Sequence, residues 1–146
     1  MKIRVAKLND LRAIKELIIR NEFSANNLEK EFLERSLDVD NKAPLGWVIE
    51  EKNKSLKGVL LNFIINYHYQ GSIYKAAVAS TWIVEKGFRS LSIPMFLKYL
   101  KQKNIDIFID STATREVGRV LKFFKFKQVA KKEYASMFWI TNYQGF

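Results

Sequence analysis

Apolar and polar residues alternate along the middle of the chain, and this alternation predicts strands with one buried face. We expect strands over Trp47–Glu51, Leu56–Tyr69 and Ile73–Val84. Short polar segments at Lys52–Ser55 and Gln70–Ser72 separate them and favour tight turns. The three strands therefore predict an antiparallel meander.

Segments with apolar residues at helical spacing flank the meander on its N-terminal side. After a short strand over Ile3–Ala6, Asn9 or Asp10 can cap a first helix by accepting from free N–H groups. A second helix is expected from about Asn27. The residues expected to face inward in the two helices are Leu11, Ile14, Leu17, Ile18, Leu28, Phe32, Leu33 and Leu37.

The C-terminal part repeats the alternation of strands and helices. Ile93, Phe96, Leu97 and Leu100 form a helical stripe, and the Ile105–Asp110 segment alternates as a strand. A strand, a helix and a second strand in this order predict a parallel pair with a right-handed crossover. Another helical stripe and a final hairpin follow, with the residues Val117, Val120, Leu121, Phe124, Phe126–Ala130 and Tyr134–Thr141. We expect one α/β domain over residues 1–146, with a mixed, mostly antiparallel sheet.

Composition excludes several classes of site and location. The chain has no cysteine and one histidine, so disulfides, thiolate metal sites and a cysteine nucleophile are excluded, and no metal site is expected. The longest apolar run, Val59–Ile65, is too short to span a bilayer, and the N-terminus lacks the apolar run of a signal peptide. We therefore expect a cytoplasmic protein with no membrane partner.

The net charge of +10 favours anionic partners, although a solvated basic surface explains it equally well. One turn is a specific candidate for binding such a partner. The segment Val84–Ile93 connects the end of a strand to the start of a helix, where N–H groups without internal partners and the helix dipole favour phosphate. Arg89 adds a full charge there, and Ser90 or Ser92 could cap the helix or reach the phosphate.

The order of elements and this turn resemble the GNAT superfamily of acyl-CoA-dependent N-acyltransferases. Arg89-Ser90-Leu91-Ser92-Ile93-Pro94 stands where that family has the loop Arg/Gln-x-x-Gly-x-Gly/Ala, which holds the pyrophosphate of coenzyme A. The opening segment Ile3–Leu11 and the late segment Val120–Phe126 are also similar to the family. The resemblance implies a sheet splayed at the cofactor site and acetyl-CoA or another acyl-CoA as co-substrate. It assigns cofactor contacts to Trp82, Ile83, Val84, Arg89, Ser90, Leu91, Ser92 and Ile93.

The motifs depart from the family pattern at several positions. Ser92 replaces one glycine of the loop, and Pro94, which has no N–H, replaces the second small residue. Family members often carry a tyrosine in the late helix as the acid for the leaving thiolate, and Leu121 stands at that position. The resemblance therefore leaves open whether catalysis is retained.

Candidates for acid–base and acceptor roles come from the residue types themselves. His68 titrates near neutrality and could be the base, Glu85 follows the cofactor strand and could steer the amine, and Tyr134 could replace the missing acid. The candidates for contacting the acceptor are Tyr67, Tyr69, Ser111 and Thr112. Each of these residues also has a purely structural interpretation as a packing, loop or capping residue.

Three functions remain open from the sequence. The first is transfer of an acyl group to the amine of a small molecule or sugar, including an anionic one, by an enzyme that could form a homodimer through its last hairpin. The second is an inactive GNAT-like module that binds acyl-CoA or another partner. The third is a nucleic-acid-binding domain, which the charge favours but no nucleic-acid motif supports, so nucleic acid is not expected.

Overall fold

The structure is a computed structural model, and it describes residues 1–25, 28, 30, 43–110 and 113–128. Five strands in the described part form one sheet whose strand order follows the sequence. They are β1 (Lys2–Val5), β2 (Gly46–Glu50), β3 (Leu56–Tyr69), β4 (Ser72–Val84) and β5 (Ile107–Asp110).

The described part also contains three α-helices and two short 3-10 helices. The α-helices are α1 (Leu11–Arg20), α2 (Ser92–Leu100) and α3 (Arg115–Phe123). The 3-10 helices, Leu8–Asp10 and Lys86–Leu91, lead directly into α1 and α2. Leu28 and Lys30 are also helical, and the remainder of the expected second helix and the final hairpin lie outside the described residues.

The pairing of the strands confirms the predicted fold class. Strands β1 to β4 pair antiparallel with their neighbours, and β4 pairs parallel with β5. Helix α2 makes the crossover between β4 and β5. The sheet is therefore a mixed one in which the meander and a βαβ unit share β4.

Each face of the sheet is covered by a different helix. On one face, Ile14, Leu17 and Ile18 of α1 pack with Val48 and Val59 in the main apolar cluster. On the other face, aromatic rings of α2 contact the sheet: Phe96 stacks on Trp82, and Tyr99 meets Trp47 and Phe108 edge to face.

The buried face of α2 differs from the predicted one. The sequence predicts a helical stripe of Ile93, Phe96, Leu97 and Leu100, but the fully buried side chains of α2 are Met95, Phe96 and Tyr99. Ile93 and Leu97 are 38% and 37% exposed. Most positions of α2 carry apolar residues, so their spacing alone does not show which face of the helix packs against the sheet.

The start of α1 also corrects the sequence prediction. No side chain caps α1 itself; instead, the Asp10 carboxylate accepts from the Lys7 backbone N–H at 2.7 Å, ahead of the 3-10 helix. The same carboxylate receives two hydrogen bonds from the Arg4 guanidinium, which also contacts Glu50 on β2. These bonds hold the pKa of Asp10 below its usual range and attach the start of α1 to the sheet edge.

We expect Asp10→Asn to lower the free energy of unfolding at pH 7 by about 1–3 kcal/mol, because it removes charge-assisted hydrogen bonds. A carboxylate whose pKa is lowered in the folded state stabilises that state above its unfolded pKa, and this contribution is lost as the pH falls through the folded value. The gap between the two proteins in urea unfolding should therefore begin to narrow below about pH 4 and close only below the folded pKa of Asp10. Glu16→Gln, which breaks an exposed pair with Arg12, is the control and should cost much less. A pH-independent gap, or equal costs, would contradict the role given to Asp10.

The chain divides into two units between Thr112 and Ala113. In the second unit, Thr114 caps α3 by accepting from the Val117 N–H, and Leu121 is buried. Whether residues 1–146 behave as one domain stays a prediction. No helix in the described ranges has the length and hydropathy needed to cross a membrane.

Candidate active site

Strand β4 extends beyond the end of its parallel partner. The last paired residues of the two strands are Ala79 and Asp110, whereas β4 continues to Val84. Leu60 of β3 pairs with Trp82 of β4, but Asn62 pairs with Ala79. Strand β4 therefore has one extra residue here, which forms a bulge at Ser80 and Thr81. Within the described residues, β4 therefore has an open outer edge beyond this bulge, which we call the splay.

The backbone of β4 presents hydrogen-bond donors to the splay. The Glu85 N–H donates to the Lys57 carbonyl of β3 at 2.9 Å. Because successive N–H groups of a strand point to opposite sides, those of Val84 and Trp82 point away from β3 and that of Ile83 points towards it. The Ile83 side chain packs in the core on the α1 face. Of the three strand residues expected to contact a cofactor, Trp82 and Val84 therefore offer donors.

The indole of Trp82 packs against α2. Its ring stacks on Phe96 at 4.6 Å between centroids, with 8° between the ring planes. The Nε1–H is buried and has no hydrogen-bond partner in the described part of the chain. A buried donor without a partner costs about 1–3 kcal/mol.

The turn after β4 forms the expected helix start, with different capping. A 3-10 helix runs over Lys86–Leu91, and its C-terminal end is closed by a bond from the Ser92 N–H to the Arg89 carbonyl. Leu91 is the N-cap of α2, so Ser90 and Ser92 do not cap this helix, contrary to that interpretation. Pro94 occupies the third position of α2, in the first turn, where proline is tolerated.

The guanidinium of Arg89 is exposed at this turn. It forms no ion pair with any residue that the structure describes. Lys57 and Lys86 carry further positive charge beside the turn, and the Lys57 ammonium lies 5.6 Å from the centroid of the Phe88 ring. This end of the sheet therefore combines a helix N-terminus with an available guanidinium.

Several solved structures with a similar fold are acetyltransferases. An acetyltransferase of Trypanosoma brucei has a TM-score of 0.68 at 12% identity, over 93% of this chain and 99% of that one. Glucosamine-6-phosphate N-acetyltransferase of Arabidopsis thaliana has a TM-score of 0.66 at 16% identity, over 92% and 97%. Aminoglycoside 6'-N-acetyltransferase of Acinetobacter haemolyticus has a TM-score of 0.61 at 18% identity, over 96% and 100%.

The chain has the GNAT fold. The likeness is one of structure, since no family model and no curated protein sequence matches the chain. The resemblance that the sequence suggested through Arg89–Pro94 is thereby confirmed at the level of the fold.

The GNAT fold of this chain has a tyrosine under the splay that sequence reasoning missed. The Tyr99 hydroxyl lies 2.7 Å from the carbonyl oxygen of Ala77 on β4 and 3.0 Å from that of Ile109 on β5. Burial raises the pKa of this hydroxyl, so it stays protonated and acts as a donor. This role depends on the parallel register of β4 and β5, which brings the two carbonyls together. The sequence alone does not give that register.

Glu85 is engaged in ion pairs at the end of β4. Its carboxylate lies 2.7 Å from Nε of Arg20 and 3.5 Å from Nζ of Lys57. Arg20 also donates to the carbonyl of Leu56 at 2.6 Å. These contacts favour an anchoring role, in which Glu85 attaches the end of α1 to the strand that borders the splay.

The structure does not bring the hairpin candidates to the splay. His68 pairs with Ile73 and Tyr67 with Tyr74, near the tip of the β3–β4 hairpin. Ile73 lies six residues before Ala79, which corresponds to about 20 Å along the strand. His68, Tyr67 and Tyr69 are all exposed there, and a direct catalytic contact by His68 has no support in this geometry.

The remaining candidates, Ser111, Thr112 and Tyr134, lie outside the described residues. Their assignments stay predictions. Leu121, at the position that the resemblance assigns to the family's tyrosine, is buried.

Proposed function

We propose that this chain is an acyl-CoA-dependent N-acyltransferase that moves an acetyl or similar group to the amine of a small molecule. The observation that carries the proposal is the splay, with the outward N–H groups of Trp82 and Val84 along one side. The named structures with this fold act on glucosamine-6-phosphate and on aminoglycosides, which supports an amine acceptor.

The residues present fit such a co-substrate. Arg89 and the start of α2 would hold its pyrophosphate, since a guanidinium and a helix N-terminus both favour phosphate. The outward donors of Trp82 and Val84 would hold the amide and carbonyl groups of the arm that carries the acyl group. The thioester supplies the activated acyl group when it is bound.

The chain's own contribution to the reaction is chiefly binding and orientation. The backbone donors beside the bulge can polarise a carbonyl, and fixing two reactants in the splay makes the attack of the amine effectively intramolecular. Glu85 is compensated by two cations and His68 lies far from the splay, so neither is placed as a base. We keep Tyr134 as the proposed acid for the leaving thiolate.

A second candidate function is a GNAT-like module that binds acyl-CoA without transferring the acyl group. Pro94 favours it, because the first turn of α2 lacks one N–H that could otherwise contact phosphate. The acetyl-transfer assay described below separates the two candidates when acetyl-CoA binding is measured on the same sample.

We expect acetyl-CoA to transfer its acetyl group to at least one amine in a panel of amino sugars, amino-sugar phosphates and aminoglycosides. Release of the free thiol reports the reaction, and the protein adds no background because it contains no cysteine. Release should be at least tenfold faster with the right amine than without any amine. Binding without amine-dependent release would favour the inactive module, and the absence of both would refute the proposal.

A further inference from the structure

A cavity lies at the opposite end of α2 from Arg89. It has a volume of about 500 Å³ and is bordered by Trp47, Pro44 and the C-terminal end of α2. Helix α2 is nine residues long, which separates its two ends by about 13 Å. The cavity is therefore distinct from the turn that we assign to the pyrophosphate, and its size is in the range of small-molecule sites.

Four lysines line this cavity, which we call the lysine pocket: Lys75, Lys98, Lys101 and Lys103. Within the described residues none of the four forms a salt bridge. The nearby carboxylate of Asp106 accepts a hydrogen bond from the backbone N–H of Lys75, at 2.8 Å. A cleft bordered by charges of one sign concentrates the electrostatic field and attracts counter-ions.

Helix electrostatics explain only half of this cluster. Lys98 and Lys101 lie at the C-terminal end of α2, where positive charge stabilises the helix dipole. Lys75 belongs to β4 and Lys103 to the loop before β5, so no helix dipole accounts for their presence. Three different elements therefore contribute lysines to the lining of one cavity, and their like charges repel one another.

The base of the lysine pocket is rigid and its polar groups are satisfied. Asn62, which is fully buried, donates to Gln102 Oε1 and to the carbonyl of Pro44, both at 2.9 Å. Gln102 donates in turn to the carbonyl of Tyr99 at 3.0 Å. A ligand would therefore obtain its polar contacts from the lysines, while Trp47 and Ile105 offer apolar surface to an organic body.

We propose that the lysine pocket binds a small organic molecule that carries two or more phosphate groups. Ammonium groups bind phosphate as point charges, and several of them around one concave site favour a multiply charged anion. The size of the cavity and the apolar surface of Trp47 and Ile105 favour a small molecule. The proposal does not depend on the acyltransferase assignment, since it uses none of the residues of the splay.

The test is calorimetric titration of the intact protein with inorganic pyrophosphate at constant ionic strength. Pyrophosphate could also bind at the Arg89 turn, so three variants are compared with the unchanged protein. They are Lys75→Gln with Lys101→Gln, Arg89→Ala, and Lys52→Gln with Lys54→Gln as a control that removes the same charge from an exposed turn. All of the substituted side chains except Lys75, which is half-buried, are exposed, and thermal melting confirms that each variant folds.

We expect the Lys75/Lys101 pair of substitutions to weaken pyrophosphate binding at least tenfold. The Lys52/Lys54 control and Arg89→Ala should each weaken it less than threefold. Equal losses in the two lysine pairs would show an unspecific effect of net charge, and a loss confined to Arg89→Ala would place the anion at the start of α2. Either result, or no binding at millimolar pyrophosphate, would overturn the proposal.

Discussion

Replacing Arg89 with alanine should remove most of the thermal stabilisation that acetyl-CoA confers on the protein. A ligand present at 100 times its dissociation constant stabilises the folded state by about 2.7 kcal/mol. For a chain of this size, that corresponds to a rise in melting temperature of about 5–10 °C. Charge-assisted hydrogen bonds to a phosphate contribute about 1.5–3 kcal/mol, so their loss weakens binding about 10- to 100-fold.

If binding is weakened about 100-fold, acetyl-CoA at the same concentration should raise the melting temperature of Arg89→Ala by only about 1–2 °C. The melting temperature without ligand should hardly change, because Arg89 is exposed and forms no ion pair with the described residues. Arg12→Ala removes the same charge from an exposed position of α1 and should keep the full shift.

Two outcomes would contradict this assignment in different ways. A full shift in Arg89→Ala would mean that the cofactor phosphates are held elsewhere. No shift in the unchanged protein, at ligand concentrations near a millimolar, would remove the basis for any acyl-CoA function. The experiment therefore tests the location and the existence of the cofactor site separately.

The sequence predicts the sheet well because its signals there are local. Alternation over Leu56–Tyr69 gives the bounds of β3, and Gln70-Gly71 places the hairpin turn. The parallel pairing of β4 with β5 follows from the helix between them. These features depend on neighbours in the sequence, so a single chain is enough to derive them.

Features that depend on register could not be derived in the same way. The bulge at Ser80 and Thr81 and the distance of His68 from the splay both follow from how β4 pairs with its two neighbours. The ion pairs of Glu85 depend on Arg20, which is 65 residues away in the sequence. The buried face of α2 was mispredicted because Met95 and Tyr99 compete with Ile93 and Leu97 for the core.

Substituting Tyr99 should have the largest effect on stability of any change considered for this chain. The ring is fully buried and contacts Trp47, Phe96 and Phe108. Tyr99→Ala would leave a cavity under the sheet, and truncating a buried aromatic residue costs about 3–5 kcal/mol. Tyr99→Phe keeps the packing and removes only the hydroxyl, so we expect a loss of about 1–2 kcal/mol in urea unfolding.

The hydroxyl also has a consequence for the splay, and Tyr99→Phe isolates it. The hydroxyl lies between the carbonyls of Ala77 and Ile109, and the described pairing of β4 with β5 ends just beyond them, at Ala79 and Asp110. Without this bridge the opening between the strands is less well fixed, so Tyr99→Phe should also bind acetyl-CoA several-fold more weakly below its melting transition. Tyr74→Phe removes an exposed hydroxyl from the hairpin and should change neither stability nor binding. If Tyr99→Phe lost stability and kept full affinity, the hydroxyl would serve the core alone, and the donors of Trp82 and Val84 would be held in place by the sheet without it.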